Sequence, residues 1–348
     1  MPDNFRKATL RHCVAEVARR LTEANLWFGH GTDNAWDEAL WLVMCAAEIP
    51  ISEKVIDWQQ ALSTAQGCAV TKLANERITS RQPLAYLVGH AWFAGYRFDV
   101  DSRVIVPRSH LGEWIVEQLR PWLDPASVTE ALDLCTGSGC IAIALALEFP
   151  EARVDATDLS AQALVVANQN VERHGVTDRV HLFEGDLLEP ISDRCYDLIV
   201  CNPPYVDAET MATLPTEYRH EPAIAFAGGE DGLTVVRRLL ADVEPRLMGG
   251  GSLLVEVGAA ASQVELAWPT VPFTWLVSGN GEPVIFLLSK EELRLHQHKF
   301  AKVLKCLDLN HFEIDLRRIT IGHCQFSGIS AQRVPGASPS SGNPSSSS

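Results

Sequence analysis

Asn202-Pro203-Pro204-Tyr205 sets a carboxamide, two proline carbonyls and a phenol ring on consecutive residues. They follow Tyr196-Asp197-Leu198-Ile199-Val200-Cys201, a short apolar run that reads as a buried strand. Two successive prolines cannot continue a hydrogen-bonded ladder, so the strand must stop there. In open α/β sheets the carboxyl ends of the strands are where ligands bind. The chemistry these residues suit is alkylation of a planar NH2 group. The lone pair of such a nitrogen is delocalised, so the group must be gripped by both N–H hydrogens and turned toward the electrophile. Asn202 offers its side-chain carbonyl to one N–H, and Pro203 offers its backbone carbonyl to the other. Pro204 restrains that peptide, and Tyr205 covers the flat face of the substrate group. No base is needed before attack, because the N–H becomes acidic once the nitrogen is alkylated, so the rate comes from orientation and proximity. Asn202, Pro203 and Tyr205 are therefore the catalytic candidates, and Asn202, Pro203, Pro204 and Tyr205 the substrate-binding ones. The plain alternative is a Pro-Pro turn with Asn as a local cap.

The sequence upstream argues against that alternative. Ala131-Leu132-Asp133-Leu134-Cys135-Thr136-Gly137-Ser138-Gly139-Cys140 precedes an alanine-rich apolar helix, Ile141 to Glu148. Strand, glycine turn and helix in that order open a nucleotide-type fold. The turn resembles the donor loop of class I methyltransferases, with Cys135 where a first glycine is usual. Gly137 and Gly139 permit close backbone approach to a ligand. Cys135, Thr136, Gly137, Ser138 and Gly139 are thus candidate cofactor contacts. A second strand, Ala152 to Ala156, leads to Asp158, which lies roughly 20 residues past the turn, the spacing at which an acid meets ribose hydroxyls. A third, Val180 to Phe183, leads to Asp186, a candidate acceptor for an adenine amino group. Either acid alone reads as a helix cap. Four strand ends in series, carrying the turn, Asp158, Asp186 and Asn202, imply S-adenosylmethionine as cofactor rather than NAD.

The elements that must position these residues follow from pattern. Leu10, Val14, Val17 and Leu21 recur at helical spacing. A second helix is expected over Asp33 to Ile49, with Trp36, Leu40, Val43 and Ala47 on one side, and a third over Thr64 to Thr79. The stretch from Ala91 to Phe98, alternating toward Val104-Ile105-Val106 with Asp101 in the turn, reads as a β-hairpin. Gly249-Gly250-Gly251 reads as a turn before a fifth strand, Ser252 to Val257, with two more strands in Phe273 to Leu288. The expected organisation is a helical region over 1–82, a hairpin linker over 83–107, an α/β catalytic domain over 108–295, and an extension over 296–348. That extension is Ser/Pro/Gly-rich from Pro335 and expected to be largely disordered.

The chain has 348 residues, 47% hydrophobic, enough for sizeable cores. No apolar run reaches ~18 residues and no signal peptide is evident, so a soluble cytoplasmic protein without a membrane partner is expected. Nine cysteines without a CxxC pair read as reduced, mostly buried thiols. His296 and His298 read as a solvated pair, and no metal site is expected. The net charge of −15 argues against sequence-specific nucleic-acid binding, which needs phosphate neutralisation, and is compatible with a basic protein partner.

The order helical region, hairpin, Val106-Pro107-Arg108, glycine turn and Asn-Pro-Pro-Tyr resembles the HemK/Prm family of protein glutamine methyltransferases. Further segments are similar to the branch of that family acting on large-subunit ribosomal protein L-three. These are Trp27-Phe28-Gly29-His30-Gly31-Thr32-Asp33-Asn34 with Trp36-Asp37-Glu38, Tyr205-Val206-Asp207-Ala208-Glu209, Glu217-Tyr218-Arg219-His220-Glu221-Pro222, and Val271 to Leu276. The resemblance covers about Ala8 to Leu295. It implies a class I, Rossmann-like methyltransferase with a seven-stranded, mostly parallel sheet. It also implies methyl transfer to the side-chain amide nitrogen of a glutamine in L-three, with the assembling large subunit as a further partner. The Trp27 segment has two readings, an aromatic-packed helix-entry loop or a direct substrate contact. Gly279-Asn280-Gly281-Glu282-Pro283-Val284 departs from the family pattern and puts the final hairpin in question, and the chain after about Ala301 has no counterpart. Release-factor glutamine methylation, adenine methylation on DNA and a non-catalytic ribosome-assembly role are the alternatives.

Overall fold

In a computed structural model of the chain, residues 8–50, 56–279 and 281–308 are described. The first helices are α1 (Leu10–Glu23), α2 (Ala35–Ala46), α3 (Thr64–Ser80) and the short α4 (Leu84–Val88). The Thr9 hydroxyl caps α1, and Ser63 with Gln66 forms a capping box on α3. The predicted stripe Leu10, Val14, Val17, Leu21 is buried. The predicted face of α2 is right for Val43 and Ala47, which are buried, and corrected for the rest. Trp36 is exposed and Leu40 only half-buried, while Glu38, Ala39, Trp41, Leu42 and Val43 turn inward. A buried ion pair accounts for this: Arg77 Nε on α3 donates to Glu38 Oε1 at 2.7 Å, a partner that burial of a carboxylate demands.

The hairpin is β1 (His90–Phe93) with β2 (Tyr96–Asp99), closed by Ala94-Gly95, both at positive φ. Its expected extension toward Val104-Ile105-Val106 is corrected. Asp101 belongs to a separate turn, its carbonyl accepting from the Val104 N–H at 3.1 Å. Val104 and Val106 instead pack into the core of the helical region.

The α/β part runs α5 (Leu111–Val116), β3 (Glu130–Leu134), α6 (Cys140–Glu148), β4 (Arg153–Asp158), α7 (Ala161–His174), β5 (Val180–Glu184), β6 (Tyr196–Cys201), α8 (Ala208–Thr213), α9 (Thr234–Asp242), β7 (Leu247–Glu256), α10 (Ala261–Ala267), β8 (Thr274–Val277), β9 (Pro283–Ser289) and α11 (Lys290–Asp308). The strands form one seven-stranded sheet in the order β5-β4-β3-β6-β7-β9-β8, with β9 antiparallel to both its neighbours. This is the class I, Rossmann-like arrangement expected from the sequence. The chain winds outward from β3 to β5 and then returns to β6, so the switch point of the sheet lies between β3 and β6, where such folds bind ligands. Apolar clusters cover both faces. One is built on α5 and α6, the other on α9, α10 and α11.

Four further expectations are corrected. Gly249-Gly250-Gly251 is not a turn before β7 but lies inside it, where the register shifts opposite Tyr196 and Leu198. A Cβ on Gly251 would sit 2.9 Å from the Tyr196 carbonyl oxygen, so glycine admits the bulge. The catalytic part does not end at 295. α11 continues through the proposed boundary, with Phe300 fully buried and its ring 5.7 Å from that of Trp268. His296 is buried at 8% exposure rather than solvated. The thiols, expected to be mostly buried, are mixed among the described residues: Cys13, Cys140 and Cys201 are buried, Cys45 and Cys135 half-buried, and Cys68 and Cys195 exposed. The departure at Gly279 to Val284 leaves the β8–β9 hairpin intact, closed by the Ser278 N–H donating to the Glu282 carbonyl at 2.8 Å. The stretch from Pro335 lies outside the described residues.

Candidate active site

Strand register gathers the candidate residues. Leu134 on β3 is paired with Thr157 on β4 and with Cys201 on β6, and Asp158 with Glu184 on β5. Cys135, Asp158 and Asn202 therefore leave the sheet along one edge, flanking its switch point. Asp186, just past β5, is already engaged, its Oδ2 accepting from Arg238 Nη2 of α9 at 2.8 Å.

The turn after β3 has Cys135, Gly137 and Gly139 at φ of 61°, 55° and 80°. A left-handed backbone at Cys135 explains why glycine is usual there. Asp158 ties this turn to the next strand: its Oδ2 accepts from the Gly137 N–H at 2.8 Å and its Oδ1 from the Ser160 N–H at 2.8 Å. Burial raises its pKa above the ordinary carboxylate value. Beneath the turn lies Asp133, which was not among the candidates. Its Oδ2 accepts from Thr136 Oγ1 at 2.6 Å and from the Ala142 N–H at 3.1 Å. Its Oδ1 is buried with no hydrogen-bond partner among the described residues. Burial, reinforced by the charge of Asp158, pushes the Asp133 pKa up to about 7. Its signal in the sequence was a lone charge inside the apolar stretch Ala131 to Leu134. These residues fit S-adenosylmethionine. Glycines open the turn to close approach, an unpaired carboxylate oxygen beneath it suits the ammonium of an amino acid, and Leu159, half-exposed beside Asp158, offers an apolar shelf.

On the β6 side, neither the Asn202 carboxamide nor the Pro203 carbonyl enters a hydrogen bond among the described residues. Pro203 is buried, and Asn202, Pro204 and Tyr205 are half-buried. The loop carrying them is held from outside. The Val206 N–H donates to the Phe226 carbonyl at 2.8 Å and the Gly228 N–H to the Val206 carbonyl at 2.8 Å. A Cβ on Gly232 would fall 2.4 Å from the Tyr205 carbonyl oxygen, and one on Gly258 2.8 Å from the Tyr205 ring. Tyr205 is thus wedged between two glycines. Burial, with Glu256 nearby, raises its phenol pKa. Glu256, at the end of β7, accepts a hydrogen bond from the Ser109 hydroxyl. A concavity of about 550 Å³ between α7 and β5 includes neither Asn202 nor the turn after β3.

A family model described as a methyltransferase small domain matches residues 115–217, from α5 through the Asn-Pro-Pro-Tyr loop. The ribosomal protein uL3 glutamine methyltransferase of Bordetella pertussis is 46% identical to this chain, over 82% of this chain and 96% of its own length. Those of Burkholderia pseudomallei and Neisseria gonorrhoeae are 44% and 43% identical, each over 82% of this chain and 95% of their own. The chain belongs to the ribosomal protein uL3 glutamine methyltransferase family.

In this methyltransferase a second layer joins the helical region to the substrate side of the site, through residues whose individual roles the sequence did not disclose. Glu221 is its hub. Its Oε1 accepts from the Val106 N–H at 2.8 Å and from Arg108 Nη1 at 2.9 Å, and its Oε2 from Arg108 Nη2 at 2.9 Å. His30 Nε2 lies 3.1 Å from the same Oε2. Burial alone would raise the Glu221 pKa, but His30 and Arg108 outweigh it and hold the carboxyl below its usual range. The Arg108 guanidinium carbon sits 5.5 Å from the ring centroids of both Tyr218 and Phe226, within cation–π range. Phe226 is the residue whose carbonyl anchors Val206. The charge that fixes the linker therefore also fixes the loop carrying Tyr205.

Proposed function

We propose that this methyltransferase transfers the methyl group of S-adenosylmethionine to the side-chain amide nitrogen of a glutamine in uL3 (ribosomal protein L-three), giving N5-methylglutamine. The observation that carries the reading is the pair of acceptors at the end of β6, the Asn202 carboxamide oxygen and the Pro203 carbonyl, which make no hydrogen bond among the described residues and stay open to a ligand. A glutamine NH2 has two N–H donors, and these two acceptors match them. Asn202 and Pro203 hold the amide with its nitrogen turned toward the cofactor. Pro204 stiffens the loop, and Tyr205, held by Gly258 and Gly232, closes over the amide plane. Cys135, Thr136, Gly137, Ser138 and Gly139 cradle the cofactor, Asp158 takes its ribose, and Asp133 faces its ammonium. Asp186, bound to Arg238, stands at the adenine end. When bound, S-adenosylmethionine supplies a methyl carbon on a positively charged sulfur that departs as a neutral thioether. The amide proton, acidified by alkylation, is held by Asn202 or Pro203 until it passes to water.

The net charge of −15 supports a basic protein substrate and opposes a nucleic-acid one. Among the described residues no helix is long and apolar enough to cross a membrane. The reading places the reaction in the cytoplasm, with the assembling large ribosomal subunit as the wider partner. The test is incubation of the purified enzyme with methyl-labelled cofactor and either uL3 or a release factor, followed by mass-spectrometric mapping. One methyl on a uL3 glutamine side chain is expected. Label on the release factor alone overturns the substrate assignment.

A further inference from the structure

Trp27 combines a clamped backbone with an unclamped ring. Its N–H donates to Glu217 Oε1 at 3.1 Å, and its carbonyl accepts from Arg77 Nη2 at 3.1 Å. Both partners are fully buried. They are tied in turn to other charges, Arg77 to Glu38 at 2.7 Å and Glu217 to Arg81 at 2.6 Å. Arg81 also donates to the Asn25 carbonyl at 2.9 Å, so the chain entering Trp27 is held as well. Just beyond, Gly29 has φ of 131°, a backbone that strains any other residue, and a Cβ there would lie 3.3 Å from the Tyr218 hydroxyl and 3.4 Å from Trp27 Nε1. Yet the indole is 50% exposed. It has no ring partner among the described residues, whereas the exposed Trp36 lies 6.1 Å from Trp58.

A chain that uses buried charges to immobilise a backbone while leaving half of a large aromatic residue in water forgoes part of the burial energy of that side chain, about 1.5–3 kcal/mol for a fully buried large apolar group. Aromatic side chains on a held backbone suit interface anchors, because the backbone loses little freedom on binding. Its position names the occupant. Trp27 adjoins Gly29 and Tyr218. The Tyr218 ring lies 5.7 Å from that of Phe226, and the Phe226 carbonyl holds Val206, next to Tyr205. A line of packed contacts therefore runs from Gly29, beside the indole, to the loop that would receive the target glutamine.

We propose that Trp27 anchors the protein substrate, packing its indole against the polypeptide that flanks the target glutamine, with a basic side chain favoured over its face by cation–π attraction and by the net charge of −15. The inference rests on the functional reading above. It makes Trp27 a determinant of which protein is methylated, separate from the residues that grip the amide.

The test measures three quantities for the wild type, Trp27→Ala and Trp27→Phe: steady-state methylation of purified uL3, equilibrium binding of uL3 in the presence of the demethylated cofactor product, and affinity for S-adenosylmethionine. Trp27→Ala should raise KM and the dissociation constant for uL3 roughly 30-fold, the scale of an interface hot spot, with kcat at saturation and cofactor affinity unchanged. Trp27→Phe should recover most of the loss. A wild-type enzyme that leaves uL3 unlabelled removes the functional reading and this inference with it. A wild type that labels uL3, with an alanine variant of equal KM and equal binding, removes the anchor alone. An alanine variant that loses cofactor affinity or melts early in parallel with its uL3 binding assigns Trp27 a structural role and likewise overturns it.

Discussion

Removing the Glu221 carboxylate should destabilise the protein by more than removing Glu221 and Arg108 together. In Glu221→Met, the Arg108 guanidinium loses two hydrogen bonds of 2.9 Å and the Val106 N–H loses one of 2.8 Å. Breaking a buried pair by deleting one partner costs about 3–5 kcal/mol, because an uncompensated charge stays behind. The Arg108 side chain is 23% exposed, so water re-solvates part of it, and the loss should fall near the lower end, about 3 kcal/mol. With a urea dependence of about 3 kcal/mol per molar, that lowers the midpoint by on the order of 1 M. The double variant Arg108→Met, Glu221→Met leaves no bare charge and should lose less than the single one. Urea titrations of wild type, both single variants and the double at pH 7.5 complete the cycle. Since Glu221 is held below its usual pKa, the stability it confers is present above the ordinary carboxylate range and lost as pH falls through it. The gap between wild type and Glu221→Met should therefore narrow in acid. A single variant within about 1 kcal/mol of wild type, or a double variant whose loss is the sum of the singles, would refute the reasoning.

Asn202→Ala should lower kcat by on the order of 100-fold, the scale for one oriented polar group at a reacting centre, while circular dichroism stays unchanged; normal turnover removes its assigned role. Gly258→Ala places a methyl 2.8 Å from the Tyr205 ring and should slow methylation of uL3 without weakening cofactor binding, as read by calorimetry and turnover side by side. Asp133 has a raised pKa of about 7. Its folded, protonated form adds stability that is complete below the ordinary carboxylate pKa and lost as pH rises toward 7. Thermal melts of cofactor-free protein should therefore fall across that window for the wild type and stay flat for Asp133→Asn. Cofactor affinity should rise over the same window in the wild type alone, and parallel profiles for the two proteins would contradict the placement of Asp133.

The sequence made legible what depends on local pattern. β6 begins and ends where the apolar run and the Pro-Pro stop put it, because proline forbids the ladder on chemical grounds. The strand ends carrying Cys135, Asp158 and Asn202 were legible for the same reason, and the β-order then brings them to one edge. What escaped depends on contacts distant in the chain. The buried face of α2 follows Arg77, 39 residues away from Glu38. Glu221 meets Arg108 across 113 residues, and no periodicity encodes that meeting. Asp133 carries no reading in the sequence, because the missing partner of its second oxygen is visible only in the packed turn. The bulge at Gly251 read as a turn because glycine signals backbone freedom without saying what uses it. The helix that carries Phe300 was cut short because family resemblance stops at about Leu295, whereas apolar packing does not.

The sheet order also constrains the sequence of events as the polypeptide leaves the ribosome. β8 is hydrogen-bonded to β9 and not to β7, although it is synthesised directly after β7 and α10. Until β9 has emerged, β7 is an open edge and β8 has no place in the sheet. Residues 274–277 must therefore wait, exposed, for 283–289 to be made and slotted between them and the rest. Completion of this half of the enzyme is held back to the last part of its synthesis. Any pause in translation between the two strands would leave the outer edge of β7 unpaired, the situation in which chains of this size recruit chaperones.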